Sequence, residues 1–365
     1  MQTRWIIAAA LSVAAVPAFA QDIQVSIATA KTTASAGQGV DVHVKFTNTG
    51  KQAVYLPHWV APSGSLQDRL FEVSVDGNAV AYVGPQVKRA APSLNTMLKI
   101  QPGQSVTRTI NVSSMYDMSK SGKYSIRYNL GALNYKTETP NLRGASAASQ
   151  RDRVQDLFDA VESNAVTMDV EGRLNPLSVK ADALEIMAQN AFAASITYAA
   201  NCSSSRRTSI ATAVNSATTY ASNAASYLAP AGSNTQRYKT WFGNYTSTRW
   251  GTARTHFNNI KTALTSKPLS FDCGCTESGT YAYVYPNSPY KIYLCGAFWS
   301  APNTGTDSRA GTIVHELSHF TVVAGTDDHA YGQSAAKSLA SSNPDKALDN
   351  ADNHEYFAEN TPALP

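Results

Sequence analysis

The chain has 365 residues, 43% of them hydrophobic, with a formal charge of +4. That length can bury a sizeable core and suggests two domains rather than one. The charge is mild and there is no long Lys/Arg run, which argues against nucleic acid as the partner.

Residues 1–20 read as a secretory leader: Arg4 gives a positive start, Trp5 to Val16 is apolar but short for a membrane span, and Ala18-Phe19-Ala20 fits a small-x-small cleavage site. No other segment is long and apolar enough to span a membrane. Residues 21–172 predict an all-β sandwich. Ile23–Ile27 and Val40–Phe46 alternate apolar with polar, the period of a half-buried strand. Leu70–Val75, Leu98–Ile100, Val106–Val112 and Lys123–Tyr128 are further strand candidates. Turn signals such as Asp76-Gly77-Asn78 and Pro102-Gly103-Gln104 separate them. No catalytic cluster stands out in this region, and His43 and His58 read as ordinary strand and loop histidines.

Residues 173–196 read as a linker, partly helical, and 197–365 as a mainly α domain with a small hairpin. Ser209 to Tyr227 has a helical cast, and Tyr281–Tyr285 with Lys291–Cys295 predicts a hairpin across Pro286-Asn287-Ser288-Pro289. Residues 310–323 predict a helix stopped near Gly325, and one or two helices follow Pro344.

All four cysteines (Cys202, Cys273, Cys275 and Cys295) lie in this second region. An even count in an exported chain predicts two disulfides. A bridge between Cys273 and Cys275 would be strained, so Cys202 pairs with one of them and Cys295 with the other. A four-cysteine zinc site is disfavoured by the tight Cys-x-Cys spacing. Charge is uneven too. Thr197 to Phe271 holds eight Lys/Arg and no acid, whereas Asp272 to Pro365 holds eleven acids against four Lys/Arg. A negative field there favours a cationic substrate, although a solvated acidic surface gives the same count.

The acidic stretch contains His315-Glu316-Leu317-Ser318-His319. On a helix, positions i and i+4 share a face, so both imidazoles can bind one Zn²⁺ while Glu316 stands beside the water that the metal activates. Glu316 is then placed to act as general base. A catalytic zinc needs a third protein ligand. The metzincin pattern fails, because Val322 and Gly325 stand where it needs glycine and histidine. Glu355 from a later helix could serve in a thermolysin-like arrangement. So could Asp327, Asp328 or His329, if Gly325 turns the chain back. The residues alone leave these open.

The His-Glu-x-x-His run followed by Gly325-Thr326-Asp327-Asp328-His329-Ala330-Tyr331-Gly332 resembles the aspzincin, or deuterolysin, family, and most of all its peptidyl-Lys metalloendopeptidase branch. The likeness spans about residues 197–365. It includes Thr240-Trp241-Phe242-Gly243, Phe271-Asp272-Cys273, Leu294-Cys295-Gly296-Ala297-Phe298-Trp299 and the segment from Asn350 through Asp352 and Glu355 to Asn360. The resemblance implies a zincin-type catalytic domain with one zinc ion. It implies Asp328 as third ligand, nine residues after His319, and Tyr331 as a hydroxyl donor to the oxyanion. It implies disulfides Cys202–Cys273 and Cys275–Cys295, and a lysine-binding S1′ pocket built on Asp352 and Glu355. On a helix those two acids stand at i and i+3 and can face one ammonium. The expected partner is a protein or peptide substrate with lysine, cut on the amino side of that residue. A broader specificity, or a zinc-containing binding protein without catalysis, are the competing readings.

The position of residues 21–172, between the leader and the zinc motif, suggests a pro-region. It has no cysteine, so a thiol cannot mask the zinc, and latency must be steric or use another ligand. Retention of this region as an accessory domain is the alternative. A secreted monomer is expected.

Overall fold

The structure is a computed structural model, and it describes residues 22–63, 66–91, 94–138, 154–175, 177 and 195–365. The leader and the expected helical part of the linker lie outside the described residues.

The first region is built from β1 (Ile23–Ala28), β2 (Thr33–Ala34), β3 (Asp41–Asn48), β4 (Val54–Pro57), β5 (Phe71–Val75), β6 (Asn78–Ala79), β7 (Gln86–Arg89), β8 (Met97–Ile100), β9 (Ser105–Asn111), β10 (Gly122–Glu138) and β11 (Val154–Val170). Strands β1, β3 and β9 form one antiparallel sheet. A second sheet runs β2-β11-β10-β4-β8, with β5 and β6 joined to β10. Strict alternation decides which side chains face inward: β1 buries Ile23, Val25 and Ile27, and β3 buries Val42, Val44 and Phe46. They meet Val73, Tyr124, Ile126 and Met168 of the other sheet in one apolar core, the layering of a sandwich. Burying one such side chain contributes roughly 1.5–3 kcal/mol, which works against the chain entropy lost on folding.

The second region holds β12 (Ser195–Tyr198), α1 (Ser204–Leu228), α2 (Gln236–Phe242), α3 (Ser247–Ser266), β13 (Pro268–Asp272), β14 (Thr280–Val284), β15 (Lys291–Leu294), α4 (Gly296–Ser300), α5 (Arg309–His319), α6 (Gln333–Ser342), α7 (Pro344–Leu348) and α8 (Ala351–Glu359). Strand β12 begins within the segment read as linker, because Ser195–Tyr198 pairs in parallel with β13. Helix α1 packs on α3 and α5 through alanines such as Ala213, Ala217 and Ala221, whose small size lets the helices approach closely. Cys202 is bonded to Cys273 and Cys275 to Cys295, fastening the start of the loop after β13 to the entry of α1 and to the end of β15.

The hairpin expected over Tyr281–Cys295 is part of a larger sheet, ordered β12-β13-β15-β14-β7. Its last strand comes from the other region. Strand β7 lies antiparallel along the edge of β14, with Gln86 opposite Val284, Val87 opposite Tyr283 and Lys88 opposite Ala282. The sandwich thus lends one strand to the helical region.

Candidate active site

Helix α5 starts at Ser308, whose side chain accepts the Gly311 N–H, and every residue from Ala310 to His319 is buried. Gly311 is required by crowding: a Cβ there would lie 2.1 Å from Glu359 Oε1 and 2.9 Å from Glu355 Oε1. Its absence lets α8 press against the zinc-motif helix. The helix ends at His319, four residues earlier than the sequence suggested, because Phe320 is already extended. The N–H groups of Ala324 and Gly325 close onto Phe320 O, and Gly325 takes φ +64°, a value glycine adopts without strain.

That turn returns the chain past the helix. Thr326 N–H donates to Ser318 O, and Thr326 O accepts from His319 Nδ1 at 2.7 Å. The second bond directs His319 Nε2 inward. The next residues are stitched to the start of α8. Asp327 N–H donates to Asp349 O, Ala351 N–H donates to Asp327 O, and Asn350 Oδ1 accepts from His329 and Ala330 N–H.

Asp328 is thereby set beside both imidazoles. One carboxylate oxygen is 3.2 Å from His315 Nε2 and the other 3.5 Å from His319 Nε2. Burial opposes its charge, but His319 and His315 outweigh that and hold the carboxyl well below its usual range. The other three candidates for third ligand are engaged elsewhere. Asp327 accepts from Gln86 Nε2 (2.6 Å) and Arg69 Nη1 (3.2 Å), and His329 contacts Asp349 (2.9 Å). Glu355 Oε2 lies 2.5 Å from Lys88 Nζ.

Buried polar atoms are normally paired. Here His315 Nε2, His319 Nε2, both Asp328 oxygens and both Glu316 oxygens are buried without a hydrogen-bond partner. His315, His319 and Asp328 each offer a ligand atom within 4.8 Å of the others. Two imidazole nitrogens and a carboxylate are the donor set of a catalytic zinc, so these residues fit the ion. Glu316 is one position along and fully buried, and burial pushes its pKa up to about 8.

Behind His315, its Nδ1 lies 2.9 Å from Asp352 Oδ1. Gly332 N–H donates to the other Asp352 oxygen at 2.6 Å. Asp352 and Glu355 converge, one turn apart on α8, and the group between them is Lys88 of β7. Its Nζ is 3.4 Å from Asp352 Oδ1 and 4.0 Å from Asp307 Oδ1, and it faces the rings of Tyr281 (5.0 Å) and Tyr356 (6.0 Å). The ammonium is 1% exposed. Burial opposes its charge, yet Asp352 and Glu355 prevail and raise its pKa well above the ordinary lysine value. Tyr331 OH donates to Val87 O at 2.9 Å and accepts from Arg89 Nη1 at 3.0 Å. Arg89 is itself anchored on Asp68 Oδ1 at 2.9 Å.

Sequence reasoning missed Lys88, Arg89, Asp68, Asp307, Tyr281 and Tyr356 as parts of this site. Lys88-Arg89 is a basic pair just after Pro85 in a strand-rich region, a visible but unspecific signal. A cavity of about 650 Å³ opens beside Asp328 and Tyr331, bordered also by Trp59, Asp68, Arg69 and Gln86.

Two histidines on a buried helix and an aspartate on the chain that returns past it, with an unpaired glutamate alongside, have the make-up of a zinc hydrolase centre, and known proteins give its class. Residues 227–359 match the family described as lysine-specific metallo-endopeptidase. An extracellular protease of Aeromonas hydrophila is 49% identical over 324 residues, 89% of this chain and 89% of its own. A peptidyl-Lys metalloendopeptidase of Pleurotus ostreatus is 55% identical over 163 residues, 45% of this chain and 96% of its own. The solved zinc peptidase from Grifola frondosa is 55% identical with a TM-score of 0.44, covering 45% of this chain and all of that one. The chain belongs to the aspzincin family and is a zinc metalloendopeptidase.

Proposed function

We propose that this enzyme hydrolyses peptide bonds on the amino side of lysine. His315, His319 and Asp328 hold the zinc, which supplies a Lewis acid when bound. Glu316 takes a proton from the attacking water and passes it to the leaving amine. The Tyr331 hydroxyl donates to the oxygen of the carbonyl under attack. Asp352 and Glu355 receive the lysine of the substrate, while Asp352 also steadies His315.

The observation that carries this reading is the buried Lys88 ammonium between Asp352 and Glu355, next to His315. Two converging carboxylates flanked by aromatic rings match a compact charged tip, and exclude a side chain with no charge to meet them. Tyr281 and Tyr356 turn their rings toward that ammonium.

Residues 1–20 act as an export leader, 21–172 as a removable pro-region, 173–196 as linker and 197–365 as the catalytic domain. Supporting this division, the Pleurotus relative matches less than half of this chain yet nearly all of its own length. Export is supported by the extracellular relative and by two disulfides; no described helix is long and apolar enough to cross a membrane.

The test is a digest of an unrelated protein read by mass spectrometry. New peptides should begin with lysine. Cuts before leucine or phenylalanine at equal frequency would replace this reading with one of broad specificity. Glu316→Gln should keep its zinc and lose turnover by about 10²–10⁴-fold.

A further inference from the structure

An extended peptide on a sheet edge turns alternate side chains toward the same surface, so that surface can read every second residue. The edge of β14 carries β7 in a register that sets Gln86 opposite Val284, Val87 opposite Tyr283 and Lys88 opposite Ala282. Lys88 lies between Asp352 and Glu355, and Val87 O accepts from Tyr331 OH at 2.9 Å. Under the proposed function these are the places of the lysine that follows the cut and of the carbonyl under attack. Gln86 then stands where a substrate has its second residue before the cut, on the same face of the strand as the lysine.

Gln86 is 4% exposed, and its Nε2 donates to Asp327 Oδ1 at 2.6 Å. The other oxygen of that carboxylate accepts from Arg69 Nη1 at 3.2 Å. One acceptor on the catalytic side thus takes a neutral amide and a guanidinium together. Its main chain is held on both sides, because Asp327 N–H donates to Asp349 O and Ala351 N–H donates to Asp327 O. A second carboxylate is near: Asp349 lies 2.9 Å from His329 Nε2, and one atom each of Asp327, His329 and Asp349 falls within 4.8 Å of the others. Asp327, His329 and Gln86 all border the cavity of about 650 Å³, which leaves space for a longer side chain than glutamine. Lys346 borders it as well, under the opposing charge of Asp349.

We propose that Asp327 is a further specificity-determining residue: it receives the side chain two residues before the substrate lysine, and selects one that donates a hydrogen bond, glutamine or arginine, over an apolar or acidic one. This rests on the lysine reading above. An ionised carboxylate accepts and cannot donate. A leucine at that place leaves its oxygen covered and unpaired, and a glutamate sets two like charges together. Arginine supplies both the donors and the opposite charge.

The experiment gives the zinc-loaded, secreted enzyme a set of synthetic peptides, each with one lysine, that differ only at the second residue before the cut: Gln, Arg, Leu or Glu. Products are read by mass spectrometry and kcat/KM is measured for each. Wild type should cut the Gln and Arg peptides about tenfold better than the Leu peptide, and the Glu peptide worst. Asp327→Asn keeps an acceptor without the charge, so it should still prefer Gln to Leu but lose the preference of Arg over Glu. Asp327→Ala should lose both preferences. Each comparison is a ratio within one variant, so a general loss caused by disturbing the neighbouring Asp328 cancels, and Asp327→Asn, the same size as the native residue, decides the matter if Asp327→Ala misfolds. Equal cutting of all the peptides by wild type, or unchanged ratios in Asp327→Asn, overturns this inference and leaves the lysine reading standing. Cuts that do not fall before lysine overturn the lysine reading and this inference with it.

Discussion

The two regions bury their interiors on opposite terms. The sandwich interior is apolar side chains from alternating strands, and it is complete in itself. The helical region surrounds its centre with a similar apolar shell, yet that centre holds His315, Glu316, His319, Asp352, His354 and Glu355, each at most 1% exposed. Several of their atoms have no partner. The first region is organised for its own stability. The second keeps polar groups dry for ligands that come from elsewhere.

Metal removal should separate the two most sharply. A chelator should abolish peptidase activity and zinc should restore it. A site saturated a thousandfold above its Kd adds about 4 kcal/mol, so unfolding of the helical region should drop on the order of 10 °C. Calorimetry should leave the sandwich transition in place, and an equal drop in both would break the contrast.

Neutralising the pocket should cost almost as much. Asp352→Asn with Glu355→Gln leaves a substrate ammonium buried without its partners, a loss of ~3–5 kcal/mol, or a hundredfold or more in kcat/KM. Zinc content measured alongside should change far less. A double variant that still cuts before lysine at the wild-type rate would remove these acids from recognition.

Within the sandwich the expected damage is to stability alone. Phe46 is fully buried against Tyr128, and Phe46→Ala should destabilise this region by ~3–5 kcal/mol in denaturant titration. Once the catalytic region has been released, its turnover should not register the change.

The most gradual effect is acid sensitivity in the helical region. His354 is buried, which pushes its pKa from 6.5 down to about 3, with His256 3.0 Å away adding to the shift. A pKa depressed on folding favours the neutral form, so the stabilisation is present above about pH 6.5 and is lost as pH falls toward 3. The slope for one such proton is about 1.4 kcal/mol per pH unit. Chemical denaturation across that window should follow it, and His354→Gln should flatten it.

Local periodicity made β1 and β3 legible in the sequence, since their inward residues alternate over most of each strand. It left β10 short and β11 unseen, although the two pair along 17-residue strands. Strand β7 escaped for a different reason. It is four residues long, follows Pro85 and buries polar residues, because its partner and pocket belong to the other region. The zinc-motif helix was legible from its spacing, but not its early end, which depends on the turn that returns Asp328. Choosing Asp328 over Asp327, His329 or Glu355 needed the resemblance, and the fold separates them by fastening the loop to Asn350. Asp307, Tyr281 and Tyr356 carry no local signal, being neighbours of Lys88 only in three dimensions.

The antiparallel seat on β14 accepts only extended backbone, and this bears on self-digestion. The catalytic half carries Lys239, Lys261, Lys267, Lys291, Lys337 and Lys346. Four of them, Lys239, Lys261, Lys337 and Lys346, sit within helices. Lys291 opens β15, an inner strand already paired on both sides. A helical segment has to unwind, and an inner strand has to leave its sheet, before either can lie along β14. Secondary structure thereby shields these five lysines from a lysine-directed enzyme, whereas β7 presents Lys88 already extended and on the edge.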